Sequence, residues 1–149
     1  LATDWMMNDP FEAMRNALNA IRLKQGKHTA YTSTQALYGS TTDSATVLGL
    51  ENSIGKVQEG FKADLIQIDI NQPHLVPFYA EYASIAYYAR ASDVVTSIIN
   101  GKVVMRDRVV IGIDETKALE AVAKHIPALS DKMLKLGGAV HPGLCPCGF

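Results

Sequence analysis

At 149 residues, with 14 Lys+Arg against 15 Asp+Glu and 48% apolar residues, the chain is long enough for one ordinary domain or two small pieces and needs no disulfide staples to bury a core. A net charge of −1 with scattered basic residues gives no footprint for nucleic acid or an anionic membrane, and leaves small molecules and proteins as partners. No apolar run approaches the roughly 18 residues of a membrane span and no basic-then-apolar signal leads the chain, so a cytoplasmic protein is expected. Cys145 and Cys147 near the C-terminus suit a reducing compartment.

Asp9 as N-cap and Pro10 at the first helical position open a helix whose stripe is Phe11, Met14, Leu18 and Ile21, ending over Lys24 to Gly26. A second helix is expected after Thr32 or Ser33, with Leu37, Thr41, Ala45 and Leu48 on one face and a stop at Gly49. Ala63 to Asp69 alternates apolar and polar residues as a half-buried strand does. Between Asn71 and Ser92, Pro73 and Pro77 set a rigid excursion that turns helical over Tyr79 to Ala89, with Tyr79, Tyr82, Tyr87 and Tyr88 as its aromatic residues. Helical spacing makes that face a core or subunit contact before it makes it a binding surface.

Val94 to Ile99, the Asn100-Gly101 pair and Lys102 to Arg106 predict a two-residue hairpin, because Asn-Gly takes positive φ at both turn positions at little cost. Val109 to Ile113 can add a strand. A last helix starts at the cap Asp114, carries Leu119, Val122 and Ile126, and is expected to kink or break at Pro127 before resuming over Ala128 to Leu136. The strands are too few for a complete barrel or doubly wound sheet, and the amphipathic helices outnumber the surfaces that could cover them. With Leu1 in place of a methionine, a piece of a longer protein is expected.

Chemistry concentrates at the start. Leu1-Ala-Thr-Asp4 is a short apolar approach ending in an acid, followed by a loop and a helix; an α/β barrel places catalytic groups at such strand ends. On spacing alone a turn or capping acid is the commoner reading.

In order and spacing, Leu1-Ala-Thr-Asp4, Ala45-Thr-Val-Leu-Gly-Leu50, Ile54-Gly55, Gly60-Phe-Lys-Ala-Asp-Leu-Ile66 and Ile99-Asn-Gly-Lys-Val-Val104 resemble the C-terminal third of the amidohydrolase superfamily. The branch is that of cytosine-, guanine- and adenosine-type deaminases and triazine hydrolases. The resemblance covers roughly residues 1–113. It implies an α/β fold: the C-terminal part of a metal-dependent (β/α)8 TIM barrel plus part of an accessory β-sandwich. Residues 1–52 would hold the last barrel strand and terminal barrel helices, 53–113 the sandwich portion with a helical excursion at about 73–92, and 114–149 the C-terminal helix and tail.

Carried over, Asp4 matches the family aspartate that approaches the catalytic metal and handles a proton, so the resemblance implies Asp4 as both catalytic residue and metal ligand. Zinc or iron would lower the pKa of a bound water. Trp5, Met6, Met7 and Asn8 would form the loop facing the substrate, where an aromatic ring and soft thioethers suit a flat heterocycle; packing under the first helix is the rival reading.

The family's remaining histidine ligands and its glutamate acid/base have no counterpart here. His28, His74, His125 and His141 are not paired at ligand spacing, so this chain alone is not expected to hold the metal tightly. Ala2 and Phe61 replace the usual glycine and lysine. Asp64 and Asp69 match structural positions, and His141, Cys145 and Cys147 lack the two-residue spacer of a zinc knuckle.

The sequence therefore predicts part of a deaminase-like hydrolase acting on an aminated heterocycle or cyclic amidine, inactive as this piece alone. Its partners would be the heterocyclic substrate, an upstream portion of the same protein and a second copy, with no nucleic acid and no membrane. The alternatives are a chlorohydrolase of the same superfamily and a non-catalytic docking or dimerisation module. Alone, the chain is expected to expose Phe11, Met14, Leu18, Leu37 and Ala45 as barrel-facing apolar surface and to self-associate.

Overall fold

The first helix, α1 (Pro10–Gln25), begins where its sequence says it should. Asp9 Oδ1 accepts from the amides of Phe11 at 2.8 Å and Glu12 at 3.4 Å, satisfying donors that an unfinished first turn leaves open. Gly26 ends it at φ 61, a left-handed conformation available to glycine at little cost. Of the chain, the computed structural model describes Leu1 and residues 8–135, the side chains of 133–135 excepted. Two units divide after Ile111: Leu1–Ile111 and Gly112–Phe149.

A capping box opens α2 (Ser33–Ser40): Thr32 Oγ1 accepts from the Gln35 amide at 3.2 Å, and Gln35 Oε1 accepts from the Thr32 amide at 2.9 Å. One helix was expected through Leu48, but the chain breaks at Thr41 (φ −126, ψ −92) and resumes as α3 (Thr42–Val47). Two contacts account for the break. Thr41 Oγ1 donates back to the Leu37 carbonyl at 2.8 Å, a local bond that bends helices. The returning chain also passes so close that a Cβ on Gly55 would lie 3.0 Å from Ala45 Cβ and 3.1 Å from the Thr41 carbonyl oxygen. The break dissolves the expected stripe: Ala45 is buried, whereas Leu48 is exposed.

The sheet is four-stranded and antiparallel in the order β1 (Leu65–Ile68), β2 (Val94–Ile99), β3 (Lys102–Arg106) and β4 (Val109–Val110). Asn100 at φ 50 and Gly101 at φ 77 turn the β2–β3 hairpin as their sequence predicts. Asp64 Oδ1 accepts from the Asn100 amide at 2.6 Å and the Ala63 carbonyl from Gly101 at 3.0 Å, which ties the start of β1 to that turn and fixes register. Asp64 is thus a structural acid. The expected strand over Val109 to Ile113 is only two residues long, since Gly112 turns at φ 84.

Between β1 and β2 lie α4 (Glu81–Tyr88) and a short 3-10 turn over Ala91–Asp93. The core forms where α4 covers α1 and α2: Phe11, Met14, Leu18, Ala36, Leu75, Ala86 and Ala89 are buried, with Leu37, Ile68, Tyr87 and Val94 packed against them. Alanines at 36, 86 and 89, each 0% exposed, let the elements approach closely.

This corrects the expected barrel-facing surface. Phe11, Met14, Leu18 and Ala45 are 0–4% exposed and Leu37 is half-buried. The cover comes from the tyrosine-bearing excursion, which buries Leu75 and the alanines at 86 and 89, the latter undervalued by a hydrophobic pattern search. Of the tyrosines, Tyr87 packs against the core, whereas Tyr79, Tyr82 and Tyr88 are exposed.

In the second unit, α5 (Glu115–Lys135) is capped by Asp114, whose Oδ1 accepts from the Lys117 amide at 3.1 Å. Of the break or kink expected at Pro127, the break does not occur: α5 runs on through it. Proline removes a single N–H, and the good helix formers on either side, Ala118 to Ala123 and Ala128 to Leu129, sustain the neighbouring turns. Among the described residues, no helix is long and apolar enough to cross a membrane.

Candidate active site

Asp4, Trp5, Met6 and Met7 lie outside the described residues, as do His141, Cys145 and Cys147. The structure gives the two ends of the site segment. At its start, the Leu1 amine donates to the Gly39 carbonyl at 2.6 Å and to Ser44 Oγ at 3.0 Å, while Ser44 Oγ donates to the same carbonyl at 2.7 Å. Glycine at 39 permits this approach: a Cβ there would lie 2.9 Å from the Tyr31 hydroxyl and 3.5 Å from Leu1 Cγ. A cavity of about 460 Å³ opens beside these residues, lined by Leu1, Tyr31, Gly39, Asp43, Ser44, Val47 and Leu48. Burial and, secondarily, the charge of Asp43 raise the Tyr31 phenol above its usual pKa.

At its end, Asn8 is exposed and leads directly into Asp9. That carboxylate has a second partner: Oδ2 accepts from the Ala91 amide at 3.1 Å. Farther along α1, Arg15 Nη1 donates to the Ala89 carbonyl at 2.7 Å, and Arg22 Nη2 donates to the Tyr87 hydroxyl at 2.6 Å. The Arg22 guanidinium also lies 5.6 Å from the centroid of the Tyr87 ring. From the cap Asp9 through Arg15 to Arg22 the partner recedes through 91, 89 and 87, so one polar seam joins α1 and its cap to the segment before β2.

His74 and Asp93 also hold that segment. His74 Nε2 donates to Asp93 Oδ2 at 2.8 Å, and the same oxygen accepts from the Arg90 amide at 2.8 Å. Asp93 is buried, and these bonds supply the partners that a buried carboxylate needs. His74 also borders a cavity of about 380 Å³ with Tyr79, Ser84, Tyr87 and Tyr88. Asp69 accepts from the Asn71 amide at 3.0 Å and from Gln72 Nε2 at 2.6 Å, and Arg108 stands 3.6 Å away. Those contacts, the Asn71 amide foremost, hold its pKa below the usual carboxylate range.

His28 and His125 are exposed. Among the described residues, no three of His, Cys, Asp and Glu converge on a point where a metal could be held, so the described side chains do not fit a metal centre. Sequence reasoning found Asp9 as a cap but missed its bond to Ala91, and it missed Arg15, Arg22 and the His74–Asp93 pair. The seven-residue spacing of Arg15 and Arg22 was visible. Their carbonyl and phenol partners, 74 and 65 positions away, were not.

The family model described as "Amidohydrolase family" matches residues 1–104. A 5-methylthioadenosine/S-adenosylhomocysteine deaminase of Desulforamulus reducens is 43% identical over 98 residues, covering 66% of this chain and 23% of that protein. A 5'-deoxyadenosine deaminase of Methanosarcina barkeri is 39% identical over 116 residues, covering 78% and 26%. Among solved structures, an adenosine deaminase from Xanthomonas campestris with bound zinc superposes with a TM-score of 0.73 at 28% identity, over 77% of this chain and 26% of that one. A zinc-complexed atrazine chlorohydrolase from Arthrobacter aurescens gives 0.70 at 18% identity, over 78% and 26%, a likeness of fold alone. The chain spans about a quarter of the length of these relatives.

Proposed function

The chain belongs to the amidohydrolase family, and from that premise we propose that the whole protein hydrolyses the C–N bond of an adenosine-type nucleoside altered at its 5' position, releasing ammonia. The observation carrying this reading is the run of deaminases of such nucleosides at 34–43% identity. In this reading residues 1–52 supply the last strand and closing helices of a TIM barrel, 53–113 part of its β-sandwich, and 114–149 the terminal helix and tail. An upstream portion, absent here, brings the rest of the barrel, and a second copy and a cytoplasmic setting complete the proposal.

Asp4 ends the barrel strand. Its carboxylate takes a proton as water attacks the ring carbon bearing the amine, and returns it to the nitrogen as that bond breaks. The C–O bond formed and the C–N bond broken balance with the departure of ammonia. Trp5, Met6, Met7 and Asn8 face the purine, the ring of Trp5 offering a stacking surface.

A divalent metal, zinc or iron, is proposed for the whole protein with Asp4 among its ligands, supported by the zinc bound in the similar adenosine deaminase structure. Such an ion polarises water when bound. The described residues hold no donor set for it, so no step is assigned to it, and this chain by itself is expected to be inactive.

The test is product analysis on the full reading frame with 5'-methylthioadenosine, S-adenosylhomocysteine, 5'-deoxyadenosine and a chlorinated triazine. Ammonia from at least one nucleoside supports the reading. Chloride from the triazine with no ammonia from any nucleoside replaces it with the chlorohydrolase, and inactivity on all four favours the non-catalytic module.

A further inference from the structure

Among the described residues, the buried polar side chains are those of Ser84, 5% exposed, and Asp93, 3% exposed, and both belong to the surroundings of one cavity. Ser84 lines it from α4, and Asp93 meets it through His74, which lines it too. A buried polar group is costly unless it is paired. Asp93 has His74 and the Arg90 amide. Ser84 bonds through its backbone, its amide to the Ala80 carbonyl at 2.7 Å and its carbonyl to the Ala89 amide at 3.2 Å, but its hydroxyl has no partner among the described residues.

The other walls are aromatic and apolar. Tyr87 and Tyr88 line the cavity with ring centroids 6.2 Å apart and planes tilted by 53°, and Arg22 holds the Tyr87 hydroxyl. Leu75, 2% exposed, adds a buried apolar side. The volume of about 380 Å³ lies in the lower part of the roughly 300–1,000 Å³ of small-molecule sites, which pair aromatic walls with a few polar groups. The polarity of His74 follows from its partner. A carboxylate only accepts, so the ring nitrogen meeting Asp93 carries the proton, and in the neutral ring Nδ1 is an acceptor.

We infer that this cavity binds a flat heteroaromatic compound with an N–H donor beside a ring-nitrogen acceptor, held by His74, Ser84 and the rings of Tyr87 and Tyr88. The N–H donates to His74, the Ser84 hydroxyl donates to the ring nitrogen, and the tyrosines cover the faces or edges of the ring. A hydrocarbon would leave the serine unpaired, and an anion would meet the acceptor of His74. The inference stands apart from the assignment of Asp4.

Benzimidazole is the probe, since it has both nitrogens and no exocyclic amine to lose. Its 1-methyl analogue keeps the acceptor nitrogen, which could also meet a metal, and lacks the donor. In calorimetric titrations of the full-length protein, benzimidazole should bind and the methyl analogue should bind about tenfold more weakly. Ser84→Ala and Tyr88→Ala should each weaken benzimidazole about fivefold. Tyr38→Ala, at an exposed tyrosine that does not line the cavity, should leave it unchanged. If Ser84→Ala does not fold, Tyr88→Ala, at a side chain 57% exposed, carries the test. Equal affinity for the two probes, wild-type affinity in a folded Ser84→Ala or Tyr88→Ala, or no binding to the full-length protein overturns the inference. A protein that binds the probe as expected yet releases no ammonia from any nucleoside loses the functional reading above and keeps this one.

Discussion

The two longest helices present the same pattern and meet different fates. Along α1 the stripe of Phe11, Met14 and Leu18 is at most 4% exposed, whereas along α5 the stripe of Leu119, Val122, Ile126 and Leu129 is 58–71% exposed. Amphipathicity is written in the helix itself; its partner is written elsewhere. For α1 the partner is α4 with the alanines at 36, 86 and 89, while within the second unit α5 has no such cover among the described residues.

The largest expected effect tests that contrast. Leu18→Ala removes a side chain that is 0% exposed and should cost about 3 kcal/mol by urea denaturation, as buried leucines do. Leu119→Ala, at 71% exposure, should cost less than about 0.5 kcal/mol. Equal losses would mean that the α5 stripe is covered in solution and would dissolve the comparison.

A smaller effect sharpens it through pH. Among the described residues, each unit holds one carboxylate whose pKa is lowered in the folded state: Asp69, chiefly by the Asn71 amide, and Asp114, chiefly by the Lys117 amide. A lowered folded pKa gives stability that is present above the unfolded carboxylate pKa of about 4 and lost as pH falls through the folded value. Both groups are open to solvent, so the effects are small. Asp69→Asn should flatten the acid limb of the first unit's denaturation, and Asp114→Asn that of α5 helicity followed by circular dichroism. An acid limb unchanged by either substitution would contradict these assignments.

Local rules carried much of the fold from sequence alone. Asp9-Pro10 and Gly26 bound α1, Thr32 opens α2, and Asn100-Gly101 turns its hairpin, because each acts within a few residues of itself. What failed was tertiary. The break at Thr41 depends on Gly55 passing close by, and burial of Phe11, Met14 and Leu18 depends on α4. Reading those side chains as barrel-facing reversed the expectation for how the chain covers itself. At Pro127 the expected break does not occur: the helix formers on either side carry α5 past the one missing N–H. At the site, Asp4 and the segment after it are proposed on resemblance alone and lie outside the described residues apart from Asn8, whereas the cap Asp9 was legible through position. Its tie to Ala91, like the bond between His74 and Asp93, joins residues whose spacing carries no pattern.

The account turns on Asp4 as the group that moves the proton during C–N hydrolysis. The most direct test is ammonia release from 5'-methylthioadenosine by the full-length protein and its Asp4→Asn variant, with substrate binding followed in parallel. A fall in kcat of about a thousandfold or more, with the nucleoside still bound, is the expected result. Asp4→Asn activity within a few-fold of wild type would remove Asp4 from the chemistry and the account with it.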